Sequence, residues 1–415
     1  MYEDGPRHGS SEEEDDVAYL APPCPISPGL RAQTLKCVNT LSGHHSGIRV
    51  IAMASDRVYT GSYDNTIKAR RPLLVVLSVE VWNPNPNPNP NPGQVWNLDN
   101  GRCEATLEGH VAWIRSLFVH AREPLLFSGS DDGILKIWSL DSYVQLYDIL
   151  PADGDRSQTG VLALTVDYDH NWLIAGSYDS NIYVWALPGA ASPQIRMLHV
   201  LRGHRSAVRS LVCLSPSSAF APPCLLSGSY DRTIKLWELC EGECQCVGSL
   251  GTRGSVWTMA VHEGLLLGAI GDSSIKVWRM EADVPMEDWE QIGILSGHRG
   301  LVLALAVYKD RLISGSDDRC IRVWRMGSAG APQRGDWECE RTLTGHNGGV
   351  VGVCFIQGAP PPAAPPPRRP AAPPLCLVHA ARQGLICARP RADLLLISVS
   401  SAPHLRLISA CAQAT

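Results

Sequence analysis

Apolar residues in this chain come in short runs, not in helical periods. Stretches such as Ile114–Val119, Val208–Leu214 and Val302–Val307 are rich in Val, Leu and Ile and are bounded by Gly, Ser and Asp. Such runs between turn residues predict strands joined by tight turns. One mixed pattern recurs. Ser227–Trp237 reads SGSYDRTIKLW, Ser128–Trp138 SGSDDGILKIW, Ala175–Trp185 AGSYDSNIYVW, Gly268–Trp278 GAIGDSSIKVW and Ser314–Trp324 SGSDDRCIRVW. Thr60–Lys68 gives TGSYDNTIK, resumed by Val95-Trp96 after an interruption. The turn aspartates Asp64, Asp132, Asp179, Asp231, Asp272 and Asp318 are 41 to 52 residues apart, except for a first gap of 68. A period of this size predicts an array of equivalent supersecondary units.

Each unit opens on an apolar strand, usually preceded by a Gly-His pair: His44, His110, His204, His298 and His346. A second strand ends in the G-S-x-D turn, and a third carries the Trp. A fourth follows and runs in sequence into the next repeat. Residues 34–43 look like a fourth strand placed at the start of the chain, where it can close a ring by pairing with the last unit. Residues 394–415 read as the degenerate second and third strands of a seventh unit, with Ala402 at the Asp position and Ile408 at the Trp position.

Low-complexity text breaks this rhythm. Residues 1–33 form an acidic tail that reads as disordered. Residues 69–94, with their NPNPNPNPNP run, interrupt the first unit and cannot continue a ladder at the prolines. They are either an extruded loop or a non-native translation such as a retained intron. A shorter Pro-rich insertion spans 215–223, and 357–393 is Pro/Ala/Arg-rich. The repeat domain is therefore 34–356.

Composition narrows the class. Of 415 residues, 45% are hydrophobic and 19% charged, with a net charge of −5. This is ordinary for a globular protein and makes nucleic acid an unlikely bulk partner. The 14 Cys are scattered, many within apolar strands, which suits thiols in a reducing compartment. No membrane span, metal-ligand spacing, P-loop or unique catalytic triad is evident. The expectation is a non-enzyme without cofactor or metal, in the cytoplasm or nucleus.

A Ser or Thr four residues before the turn Asp accompanies the Gly-His pair in units one, two, four and six. Units three and five have neither. Co-occurrence within one chain predicts a buried hydrogen-bonded set: His44, Thr60, Asp64 and Trp96; His110, Ser128, Asp132 and Trp138; His204, Ser227, Asp231 and Trp237; His298, Ser314, Asp318 and Trp324. A half-satisfied buried set is worse than an apolar one, so its members come and go together. Four copies of one arrangement are scaffolding, not catalysis.

The Gly-His pair, the G-S-x-D turn and the terminal Trp resemble the WD-repeat family. The resemblance implies an all-β, seven-bladed β-propeller with a degenerate seventh blade. The repeats look most like those of F-box/WD substrate receptors and TRAF-type RING ligase WD domains, though neither an F-box nor a RING is present. It implies a non-catalytic scaffold for proteins or peptides, in a ubiquitin-ligase or signalling complex. The alternative is an RNA-processing or other nucleic-acid-associated scaffold. Two positions per unit are expected on the face of the Gly-His loops. From them come the candidate partner-binding residues Arg49, Tyr63, Trp113, Arg115, Tyr178, Arg209, Tyr230 and Trp257. Arg49 is expected to pair with Tyr63 and Arg209 with Tyr230, suiting an acidic or phosphorylated peptide. The competing reading has these arginines neutralised by Asp131 and Asp317.

Overall fold

The computed structural model describes residues 37–54, 57–70, 105–150, 160–188, 194–214, 223–281, 283–308, 310–326, 337–356, 394–400 and 404–410. The acidic tail, the Pro-rich segment 357–393 and Trp96 lie outside them. Among the described residues the chain is all-β, relieved only by one 3-10 turn at Met286–Asp288.

Each repeat forms a four-stranded antiparallel meander. In the fourth, Val208–Leu214, Cys224–Ser229, Thr233–Glu238 and Gln245–Gly251 pair in order. Six such sheets follow in chain order. One further sheet joins Val350–Ile356, Leu394–Ser400 and His404–Ala410 to Cys37–Ser42, the N-terminal strand lying outermost. The first strand of each sheet touches that of the next, and Val350–Ile356 touches Ile48–Ala54. The sheets therefore stand around a central axis as the blades of a β-propeller.

The tryptophans explain the stacking. Trp237 is buried with its own Leu225 and with Trp172, Ile174 and Val184 of the preceding sheet. Trp138, Trp185, Trp278 and Trp324 are wedged against preceding sheets in the same way. Burying a Trp removes about 150–250 Å² from water, worth at most roughly 4–6 kcal/mol at ~25 cal/mol/Å². The Gly of the S-G-S turn serves the same packing. A Cβ on Gly228 would lie 2.5 Å from Val256 of the next sheet's inner strand.

The first unit departs from expectation in its third strand. The strand does not stop at Lys68 but runs through Ala69, paired with Tyr59 and Ala105, to Arg70, paired with Val58. Arg70 therefore holds the ladder position that Trp237 holds opposite Leu225 in the fourth unit.

Candidate functional site

Every inner strand slips register at its second residue. Pairing skips Arg49, Arg115, Leu162, Arg209, Trp257, Leu303 and Val351. A β-bulge bends the strand and re-aims the extra side chain. All seven re-aimed side chains line one central cavity of about 230 Å³. Its chemistry is divided. Arginines come from sheets one, two and four, while Leu303, Val351 and the Trp257 ring form an apolar arc.

Each arginine is held differently. Arg115, only 6% exposed in its side chain, donates from Nε to both carboxylate oxygens of Asp131, at 2.9 and 2.8 Å. Its guanidinium lies 5.0 Å from the centre of the Trp113 ring and 5.9 Å from that of Tyr63, and those two rings are 4.5 Å apart. Burial alone would lower its pKa, but Asp131 outweighs this and raises it. Arg115 Nη1 is buried without a partner. Arg209 lies against two rings that touch each other, 5.3 Å from the centre of Tyr230 and 4.6 Å from that of Trp257. Burial first, then the like charge of Arg49, pushes its pKa down to about 10. Arg49 and Arg209 make no ion pair among the described residues.

The candidate residues thus gather at one mouth, with one regrouping. Arg209 meets Tyr230 as expected, but Tyr63 belongs with Arg115 and Trp113 of the next sheet, not with Arg49. The turn of one sheet lies beside the start of the next inner strand, as the 2.4 Å approach of a Gly61 Cβ to Ile114 shows. Tyr178, 40% exposed, lies on the same rim, where a Gly160 Cβ would meet both its ring and Asp131. A shallow groove of about 380 Å³ runs alongside, lined by Tyr63, Trp113, Val111 and Asp131.

Five segments, 35–69, 101–139, 152–186, 195–238 and 289–325, match the family model described as WD domain, G-beta repeat. The chain carries WD40 repeats. Propellers of this family are generally protein-interaction scaffolds, not catalysts. Similar proteins include autophagy-related protein 16 of Arabidopsis thaliana, 24% identical over 43% of this chain and 32% of the relative. Striatin-4 of Mus musculus is 32% identical over 32% of this chain and 18% of the relative. An F-box/WD-40 repeat-containing protein of Arabidopsis thaliana is 26% identical over 44% of this chain and 32% of the relative. The chain spans a third or less of the length of each.

Inside three of the WD40 repeats four side chains form one chain of hydrogen bonds. Trp237 Nε1–H donates to Ser227 Oγ at 2.8 Å, Ser227 donates to His204 Nε2 at 2.7 Å, and His204 Nδ1–H donates to Asp231 at 2.8 Å. The Asp carboxylate can only accept, which places the imidazole proton on Nδ1 and leaves Nε2 to accept from the Ser hydroxyl, while Trp can only donate. The same chain joins Trp138, Ser128, His110 and Asp132, and Trp324, Ser314, His298 and Asp318. In the first repeat His44 bonds Thr60 and Asp64, each at 2.8 Å.

The two units without His and Ser use substitutes that the sequence pattern did not reveal. In the third, Tyr183 takes the position of the usual Lys and donates to Asp179 at 2.5 Å. Burial and that bond push the Tyr183 hydroxyl up to about 12. In the fifth, Lys276 approaches Asp272 and donates to Thr252 O at 2.8 Å. There Gly268 replaces Ser, and a Cβ would lie 3.0 Å from the Trp278 ring. The clue was the Tyr in IYVW, where the other repeats carry Lys or Arg.

Proposed function

We propose that this chain is a non-catalytic interaction scaffold whose central mouth recognises an acidic or phosphorylated peptide. One observation carries the reading: bulged inner strands aim Arg49, Arg115 and Arg209 into one cavity, and two of the three have no carboxylate partner among the described residues. Clustered like charges without a counter-ion favour an anionic ligand, and guanidinium forks match phosphate and carboxylate geometry. The exposed Trp113 and Tyr178 and the groove beside Asp131 offer contact area for flanking residues. The ring itself is read as seven-bladed, the seventh blade being the one without the signature Asp and Trp and completed by the N-terminal strand. Membership of a ubiquitin-ligase or signalling assembly follows as a proposal from likeness to proteins such as the F-box/WD-40 relative.

The test is a phosphopeptide library with its unphosphorylated counterpart, presented to the full chain and to Arg209→Ala. Phosphate-dependent capture by the wild type and its loss in the variant are expected. Capture indifferent to phosphate, or no capture at all, refutes the reading.

A further inference from the structure

Away from the mouth, the outer rim is charged on one side only. Three residues before the first residue of each inner strand stand His45, Val111, Gln158, Arg205, Arg253, Arg299 and Asn347. Directly after the turn Asp stand Asn65, Gly133, Ser180, Arg232, Ser273 and Arg319. Sheets four to six thus hold five arginines at these two positions, and sheets one to three hold no Lys or Arg there. Backbone bonds place them side by side. Arg205 N–H and Arg299 N–H each donate to the turn Asp of their own sheet, Asp231 and Asp318, at 2.9 Å, next to Arg232 and Arg319. Arg232 O accepts from the N–H and the hydroxyl of Thr252, both at 2.9 Å, which brings Arg253 beside it.

Arg205, Arg232, Arg253 and Arg299 are exposed, and Arg319 is half-buried. None makes an ion pair among the described residues. With Lys276, six cations stand against four carboxylates in these turns, Asp231, Asp272, Asp317 and Asp318, which leaves two positive charges. Those carboxylates are engaged elsewhere. Asp231 and Asp318 hold His204 and His298, Asp272 holds Lys276, and Asp317 packs where a Gly349 Cβ would nearly touch it. Backbone conformation marks the same residues: φ is +67° at Arg232, +66° at Arg319 and +60° at Arg253. This left-handed region favours Gly and Asn, which hold the turn position in sheets two and one. Arginine kept there without an ion pair points to a use for its charge.

We infer that this arc is an interaction surface for a run of carboxylates, and that its occupant is the chain's own Glu12-Glu13-Glu14-Asp15-Asp16. That segment lies outside the described residues, and its charge and its tether point to the arc. Five consecutive acids complement five arginines, and a guanidinium fork matches carboxylate geometry. Residues 17–36 join Asp16 to Cys37, where the N-terminal strand enters the joining sheet. Fully extended, that connection reaches at most roughly 70 Å. The joining sheet touches sheet six, where Arg299 and Arg319 begin the arc. A tethered ligand acts at a high effective concentration, so the segment closes the arc to acidic stretches of other proteins. None of the five arginines lines the central cavity, so arc and mouth stand or fall separately.

The probe is a fluorescein-labelled peptide copying residues 8–20, titrated with the full chain and read by fluorescence anisotropy. A full chain carrying Glu12→Gln, Glu13→Gln, Glu14→Gln, Asp15→Asn and Asp16→Asn leaves its arc open. It is expected to bind the peptide at least about tenfold more tightly than the wild type, whose own segment competes. Adding Arg232→Gly and Arg319→Gly to that chain weakens binding about tenfold. Glycine suits the positive φ at both positions, and a melting curve establishes that this variant is folded. Arg209→Met, in the mouth, leaves the affinity unchanged. Added salt weakens binding, since the arc is exposed.

Equal binding by the wild type and the neutralised chain, or no binding by either, overturns the inference. So does an affinity lost in Arg209→Met and kept in the glycine variant, which would put the segment in the mouth. Binding of a single-stranded oligouridylate by the neutralised chain, with none of the peptide, overturns it in favour of RNA. If the arc behaves as expected but no phosphopeptide is captured, the arc stands and the peptide reading of the mouth falls.

Discussion

The guanidinium of Arg209 rests 4.6 Å from the centre of the Trp257 ring, which belongs to the next sheet. This contact crosses a blade boundary and holds a charge where burial and two like charges disfavour it. The lowered pKa means that the charged form destabilises the fold at any pH below about 10. Arg209→Met is therefore expected to raise stability by about 1–2 kcal/mol while abolishing anion binding. Denaturant melts beside probe titrations check both halves. A variant less stable than the wild type would show that the stacking on Trp257 and Tyr230 outweighs the charge cost.

Acid should unfold the propeller through its turn aspartates. Burial alone would raise the carboxyl groups of Asp64 and Asp231, but hydrogen bonds from His44 and His204, together with Thr66, Thr233 and backbone N–H groups, hold both well below the usual range. Asp132 and Asp318 shift the same way. A carboxylate depressed in the folded state stabilises above its unfolded pKa, near 4, and that contribution disappears as pH falls further. Circular dichroism is expected to show constant stability above about pH 5 and a steep decline below about pH 4. Asp231→Asn should shallow that decline.

Ser227 is the joint of its network, since it accepts from Trp237 and donates to His204. Ser227→Ala strands a buried donor and a buried acceptor and is expected to cost about 2–4 kcal/mol. The third repeat shows the way back, since Ala175 there coexists with Tyr183 on Asp179. Adding Lys235→Tyr and His204→Gln to Ser227→Ala should recover at least 1 kcal/mol or so, a non-additivity that chemical denaturation can measure.

Backbone conformation offers a paired contrast. Gly203 has φ +159° and a Cβ there would meet the Trp237 ring at 3.1 Å, so Gly203→Ala is expected to destabilise by at least about 2 kcal/mol. Arg232, after the turn Asp, has φ +67°, and Gly133 occupies the equivalent place in the second repeat. Arg232→Gly should stabilise by roughly 0.5–1 kcal/mol, read from a shift in melting temperature.

The repeat was legible in the sequence because its markers are chemically costly. An Asp, a Ser and a His that must satisfy one another leave a pattern in any chain that buries them. The positions facing the mouth were legible too, since each follows the first apolar residue of an inner strand. The bulge that turns Arg49 and Arg209 inward was not, because a register slip changes backbone pairing without demanding a particular residue. The same limit hid the regrouping of Tyr63 with Arg115, which depends on how one sheet is set against the next. Tyr183 was hidden by its type: a Tyr at a Lys position reads as a neutral exchange until its hydroxyl is seen on Asp179.

The outermost strand of the joining sheet, Cys37–Ser42, finds its partner in His404–Ala410. During synthesis that partner leaves the ribosome long after the first strand, behind all the intervening sheets. At roughly 5–20 residues per second, the first strand waits tens of seconds without its sheet partner while sheets behind it assemble in order. Exposed strand edges recruit other chains, so a nascent ring of this kind is most vulnerable to mispairing just before it is complete.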